Sequence, residues 1–184
     1  MCGKENPMND NTPNIKAAVE ALLFVAEAPL STARIAEAAG KPVAEVRRII
    51  TELTEEYRRD ERGFRIEEIA GGYQMLTDPK YVDYIKTLHR TTEISKLTPA
   101  MLETLAIVAY RQPILRADIE AIRGVQVGPI LRSLMEKGLA RIAGRANTIG
   151  KPFLYGTTRK FLEHFGLKCI EDLPKAEELN PPEA

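Results

Sequence analysis

Apolar residues recur at Ile15, Ala18, Val19, Leu22, Leu23 and Ala26. Steps of three and four predict one face of an amphipathic helix, and Pro29 ends it. Ser31 predicts the N-cap of a short helix through Ala39, stopped by Gly40. Pro42 opens a third helix with an inward face of Val43, Val46, Ile49, Ile50, Leu53 and Tyr57, and Gly63 closes it. Phe64, Arg65, Ile66 and Glu67 alternate apolar and polar, as a half-buried strand does. Gly71 and Gly72 suit a turn, and Tyr73–Thr77 reads as the returning strand. Pro79 starts a further helix through about Leu88.

The same order begins again near Leu97. Thr98 followed by Pro99 is a cap and a first-turn proline, predicting a helix to about Arg111. After Pro113 a short helix carries Leu115, Ile119 and Ile122 and stops at Gly124. Pro129 opens the next, with Ile130, Leu131, Leu134 and Met135 inward and Gly138 at its end. Leu139–Ala143 and Phe153–Thr157 read as strands joined by a glycine-containing loop, and Arg159–Phe165 as a last helix ended by Gly166.

The halves correspond residue by residue. At an offset of 84, Pro29 falls on Pro113, Ile35 on Ile119, Gly40 on Gly124 and Val46 on Ile130. At the hairpins the offset is 80, placing Thr77 on Thr157 and Tyr81 on Phe161. Breakers match breakers and inward residues match inward residues, so the chain reads as a duplication. Three helices and a hairpin are the order of a winged helix. The expected fold is mainly α with short β-hairpins (α+β), as tandem winged-helix domains. Residues 14–88 form the first and 97–166 the second, with 89–96 as linker. Polar residues 1–13 predict a disordered N-terminal tail, and 167–184 are assigned to a C-terminal tail.

Composition narrows the function. Trp is absent and aromatics are 6% of 184 residues, so the cores must rest on aliphatic side chains. Cys2 and Cys169 are far apart in sequence and Cys2 lies in a polar tail, so they read as no disulfide framework and no metal-spaced pair, which fits a reducing cytosol. The N-terminus has no long apolar run, so no signal peptide is expected, and no stretch could span a membrane. His89 and His164 lack ligand-spaced neighbours, and Cys169 has no identifiable base. Glu67 and Glu68 fall on opposite faces of a strand, the wrong geometry for a catalytic pair. The Gly144–Lys151 segment has five residues between its glycines and Pro152 after its Lys, so it is not a phosphate loop. No enzyme, cofactor or metal is expected.

Net charge is zero overall, yet the halves differ. Residues 14–96 hold 13 Lys/Arg and 14 Asp/Glu, whereas 98–165 hold 10 and 5. Arg132, Arg141, Arg145 and Lys151 place basic groups on the third helix and wing of the second half, where they could meet phosphates or an acidic protein. The first half argues against DNA, because its third helix carries Glu45, Glu52, Glu55 and Glu56. Two classes remain: a protein-binding adaptor and a tandem winged-helix DNA-binding regulator.

The run Leu97-Thr98-Pro99-Ala100-Met101-Leu102-Glu103-Thr104-Leu105-Ala106-Ile107-Val108-Ala109-Tyr110-Arg111-Gln112-Pro113-Ile114 resembles the segregation and condensation protein B (ScpB) family. So do Ile122-Arg123-Gly124-Val125, Leu131-Arg132-Ser133-Leu134, Lys151–Thr158 and Phe161–Leu167. One departure is Gln126-Val127-Gly128-Pro129, where the family usually has a polar run with Ser and Asp. Entry into the following helix is then expected to rest on Gly128 and Pro129. The resemblance implies a non-enzymatic homodimer that binds the kleisin ScpA and reaches the SMC ATPase only through it. Its place would be the cytoplasm, at the nucleoid, in chromosome condensation and segregation. DNA would be touched indirectly or weakly. The first domain is implied in dimerisation and the second in kleisin binding. Tyr110, Arg111, Pro113, Arg123, Val125, Arg145, Pro152 and Tyr155 are the candidate partner-binding residues.

Overall fold

The computed structural model describes residues 14–88 and 97–175. The tail 1–13, the linker 89–96 with His89, and the last residues of the C-terminal tail lie outside the described residues. The chain divides into two compact units, residues 1–67 with 73–78, and 68–72 with 79–184. The division thus groups 68–72 and 79–88 with the second unit, whereas the sequence reading ends the first domain at 88.

In the first unit α1 (Ile15–Val25), α2 (Thr32–Ala39) and α3 (Val43–Arg59) precede β1 (Phe64–Ile69) and β2 (Gly72–Thr77). Asn14 caps α1 by accepting the Lys16 N–H, and the Ser31 hydroxyl accepts the Arg34 N–H. Val19, Leu23, Ile35, Val46, Ile49, Ile50, Leu53 and Ile66 close into one core, with Tyr57 and Met75 packed against it. A single two-bond bridge ties Leu30 to Tyr73.

Pro79–Tyr81 forms a 3-10 turn and Val82–Leu88 forms α4. The second unit continues with α5 (Pro99–Arg111), β3 (Ile114–Leu115), α6 (Arg116–Arg123), α7 (Gly128–Glu136), β4 (Ala140–Arg145), β5 (Phe153–Thr157) and α8 (Arg159–Phe165). The strand order is β3-β5-β4, antiparallel throughout. Helix, strand, two helices and two strands make a complete winged helix, and the first unit repeats that order with its strand reduced to the Leu30 bridge. Two apolar clusters fill the second unit. Met101, Leu105, Ala109, Leu134, Leu139, Ala140 and Phe161 form one, and Val108, Ile114, Ile119, Val127 and Leu131 the other.

Besides Val43, expected inward but 43% exposed in the first turn of α3, the structure departs from the pattern in four places. Leu115 belongs to β3 and not to the helix, because its backbone pairs with Leu154. Ile122 is 55% exposed, since α6 has two turns and buries only Ile119. The change of offset between the halves has two opposed sources. Helix α3 has 17 residues against 9 in α7, while the hairpin loop grows from residues 70–71 to 146–152. Residues 167–173, assigned to the tail, contain a 3-10 turn at Ile170–Asp172 and pack Leu167, Ile170 and Leu173 against the second unit. The expected entry into α7 matches: Val127 is the N-cap without a side-chain bond, and Pro129 stands in the first turn.

Candidate partner-binding surface

The string Arg-Gln-Pro at the end of α5 and Tyr-Gly-Thr at the end of β5 meet in space. Gln112 Oε1 accepts the Thr157 N–H at 2.7 Å and its hydroxyl at 3.0 Å, while Gln112 Nε2 donates to the Ala109 carbonyl at 3.2 Å. Gly156 makes room for this: a Cβ there would stand 2.9 Å from Gln112 Oε1. The lock fixes β5 against α5, and β5 then pairs with β3 on one side and β4 on the other.

Successive residues of a strand face opposite ways. Phe153 and Tyr155 line one groove of about 400 Å³, with Pro152, Leu115 and Ala117 and with Arg116 and Glu120 at its charged edge. Leu154 lines another of about 420 Å³, with Arg111, Pro113, Asp118, Ile122 and Ala146. Leu115 borders both. Each groove is apolar inside and charged at its edge, the form that accepts an amphipathic protein segment.

The charged edges are held in place. Arg116 Nε donates to Glu120 Oε1 at 2.8 Å, and the same oxygen accepts the Val127 N–H at 3.0 Å. The Arg116 bond first, and the backbone bond after it, hold the Glu120 carboxyl below the usual carboxylate range. Arg116 is raised in turn, chiefly by the same bond. The Arg145 guanidinium lies 4.2 Å over the Phe153 ring and donates to the Lys151 carbonyl at 3.1 Å, fixing a cation at the base of the wing.

The structure therefore gathers five of the eight candidates. Arg111 and Pro113 line one groove, Pro152 and Tyr155 the other, and Arg145 stacks on the latter's Phe153. Tyr155 also packs on the core cluster around Ile119. The other three lie apart. The Tyr110 hydroxyl donates to the Pro174 carbonyl at 2.6 Å. Arg123 turns inward, with its side chain 14% exposed; it pairs with Glu103 at 2.9 Å and donates to the Ala100 carbonyl and the Thr104 hydroxyl. Val125 stands exposed between α6 and α7, outside both grooves.

The sequence reading missed Leu115, Arg116, Phe153 and Leu154. Phe153 was within reach of it, since a strand that presents Tyr155 presents Phe153 on the same side. Cys169 is exposed, and its thiol is pushed up, first by its hydrogen bond with Glu171. Among the described residues no helix is long and apolar enough to cross a membrane.

The chain is 48% identical over 166 residues to a segregation and condensation protein B of Moorella thermoacetica, covering 90% of this chain and 85% of that one. It is 45% identical over 168 residues to the protein of the same name in Syntrophotalea carbinolica, covering 91% and 85%. A crystal structure described as a dimer of the ScpB N-terminal domain complexed with ScpA peptide is 38% identical, covering 40% of this chain and 91% of that one, with a TM-score of 0.38. The profile of the family described as segregation and condensation complex subunit ScpB matches residues 17–176, and with the identities to the Moorella and Syntrophotalea proteins over most of each chain it shows that the protein belongs to the ScpB family.

Proposed function

We propose that this chain is a non-enzymatic adaptor of a condensin-like complex, acting in the cytoplasm at the nucleoid in chromosome condensation and segregation. It forms a homodimer through its first unit and binds the kleisin ScpA through its second. Family membership supplies the complex; the observation that carries the binding role is the pair of apolar grooves meeting at Leu115, with Arg111 and Arg145 beside them. An amphipathic kleisin segment with acidic flanks suits that surface, and the excess of basic residues in 98–165 favours its approach.

The test measures ScpA affinity and melting temperature together. Arg111→Glu, Arg145→Glu and Phe153→Ala should each weaken ScpA binding by about tenfold to thirtyfold, the loss of roughly 1.4–2 kcal/mol at an interface anchor. Melting should stay near that of the parent for Arg111→Glu. Unchanged affinity in all three removes the site from these grooves. Affinity lost only on substitution in the first unit moves it there. Tight, sequence-specific binding to duplex DNA at physiological salt would favour a regulator instead.

A further inference from the structure

The chain beyond α8 leads back to one of the two grooves. Leu167, Ile170 and Leu173 seat residues 167–173 on the second unit, and the Tyr110 hydroxyl donates to the Pro174 carbonyl at 2.6 Å. The described chain therefore stops, at Lys175, beside the last turn of α5. The residue after Tyr110 is Arg111, which is exposed and pairs with no carboxylate among the described residues. It lines the groove of about 420 Å³ together with Pro113, Ile122 and Leu154. Ile122 is 55% exposed there, a large apolar side chain that α6 turns to solvent.

Residues 176–184 have the composition this groove calls for. They carry Glu177, Glu178 and Glu183 and no Lys or Arg, with Leu179 next to the acidic pair. The two carboxylates complement Arg111, and Leu179 complements the apolar floor. The groove also has a carboxylate of its own, Asp118. It would repel a segment acidic throughout, whereas here the acidic pair gives way to Leu179 and Asn180. Reach is sufficient. Neighbouring residues of a helix point about 100° apart, and a helix with its side chains is about 10–12 Å across. Five extended residues from Pro174 to Leu179 span about 17 Å, enough to pass from Tyr110 round α5 to Arg111. A short tether also holds its segment at an effective concentration of about 1 mM, so a contact too weak to form between separate molecules forms within one.

We propose that residues 176–184 dock in the groove at Arg111 and compete there with ScpA, Glu177 and Glu178 pairing with Arg111 and Leu179 covering Ile122 and Leu154. The competition rests on the ScpA reading above; the docking does not. A segment that binds at about 0.25 mM on its own, held at about 1 mM, leaves the groove open roughly one-fifth of the time. ScpA affinity is reduced by that fraction.

The experiment compares the full chain with one ending at Lys175, which keeps Leu173 and the Tyr110 bond to Pro174. Methyl NMR spectra of Ile122 and Leu154 should shift when the segment is removed, while Ile35 and Ile49 in the first core should not. Leu179→Ala in the full chain should reproduce much of that shift, with an unchanged circular dichroism spectrum. ScpA should bind about fivefold more tightly to the shortened chain, and more tightly to the full chain with Glu177→Lys and Glu178→Lys. Groove methyls that stay in place on shortening overturn the docking. Methyls that move while ScpA affinity stays the same overturn the competition and put ScpA outside this groove. If Arg111→Glu weakens ScpA binding but shortening changes neither methyls nor affinity, this inference falls and the ScpA reading stands.

Discussion

Gln112 and Thr157 show how a single side chain can hold a fold's signature string in place. The Thr157 N–H and hydroxyl are buried, and both donate to the one Gln112 oxygen. Gln112→Ala leaves them unsatisfied and should cost about 1–3 kcal/mol, read from denaturant unfolding. Gly156→Ala drives a Cβ against the same oxygen and should destabilise in the same assay; combined with Gln112→Ala it should cost less than the two changes summed, because the clash is then gone. Tyr57 carries a second residue-scale prediction. Burial first, and its bond to Glu20 next, push its phenol up to about 12. The folded state therefore holds that proton more tightly than the unfolded chain. The stabilisation is complete below the ordinary value of 10.0 and is lost as pH rises from there through about 12. In an absorbance titration of the six tyrosines one should ionise late, and Tyr57→Phe should remove that component.

The helices of both units are set by their ends. Thr98 and Thr158 accept the N–H groups of Met101 and Phe161, and Thr158 also donates to the Gly138 carbonyl. Thr98→Ala should cost about 1 kcal/mol of stability, and Thr158→Ala more, because it also leaves that carbonyl without its partner. At the other ends, Gly40 after α2 and Gly124 after α6 sit at φ of 62° and 68°, the same position in the two copies. Nothing lies within 4 Å of a Cβ built at either. Gly124→Ala should thus cost only the left-handed backbone, about 1 kcal/mol, and Gly124→Asn less. Thermal unfolding of the three proteins checks the order. Arg123 acts at this scale too. It ties the end of α6 to the start of α5, and Arg123→Ala should lower melting before it touches ScpA affinity.

For the whole chain, the second unit extends further than its last helix. Leu167, Ile170 and Leu173 pack beyond α8, and Tyr110 holds the Pro174 carbonyl. Each apolar side chain is partly covered, so ending the chain at residue 166 should remove about 3 kcal/mol relative to ending it at 175. Calorimetry on the two truncated chains reads the difference, and an equal melting temperature would return the segment to the tail. The duplication also looks different at this scale. The first copy has a long third helix and a tight hairpin turn, the second a short helix and a long wing. Only the second places Arg145 and Pro152 at the ends of such a wing, beside the grooves proposed for ScpA.

The sequence by itself determined most of the element order, the duplication, most helix ends and the family, because periodicity, caps and breakers act between residues a few positions apart. It also determined that the entry into α7 uses Gly128 and Pro129 without a side-chain cap, although not that Glu120 of α6 accepts the N–H of its N-cap Val127. It could not separate Arg123 from Arg111: both are arginines at a helix end, and only the fold turns one onto Glu103 and leaves the other at a groove. Nor could it find β3, since two residues have no readable period and exist as a strand only because Leu154 and Tyr155 come alongside. The apolar outer face of α1 was written in Ala17, Ala21, Phe24 and Val25, but a pattern marks a face as apolar without saying whether the fold covers it. Only the tertiary structure decides that, because burial depends on which distant elements arrive, and on this face none does among the described residues of its unit.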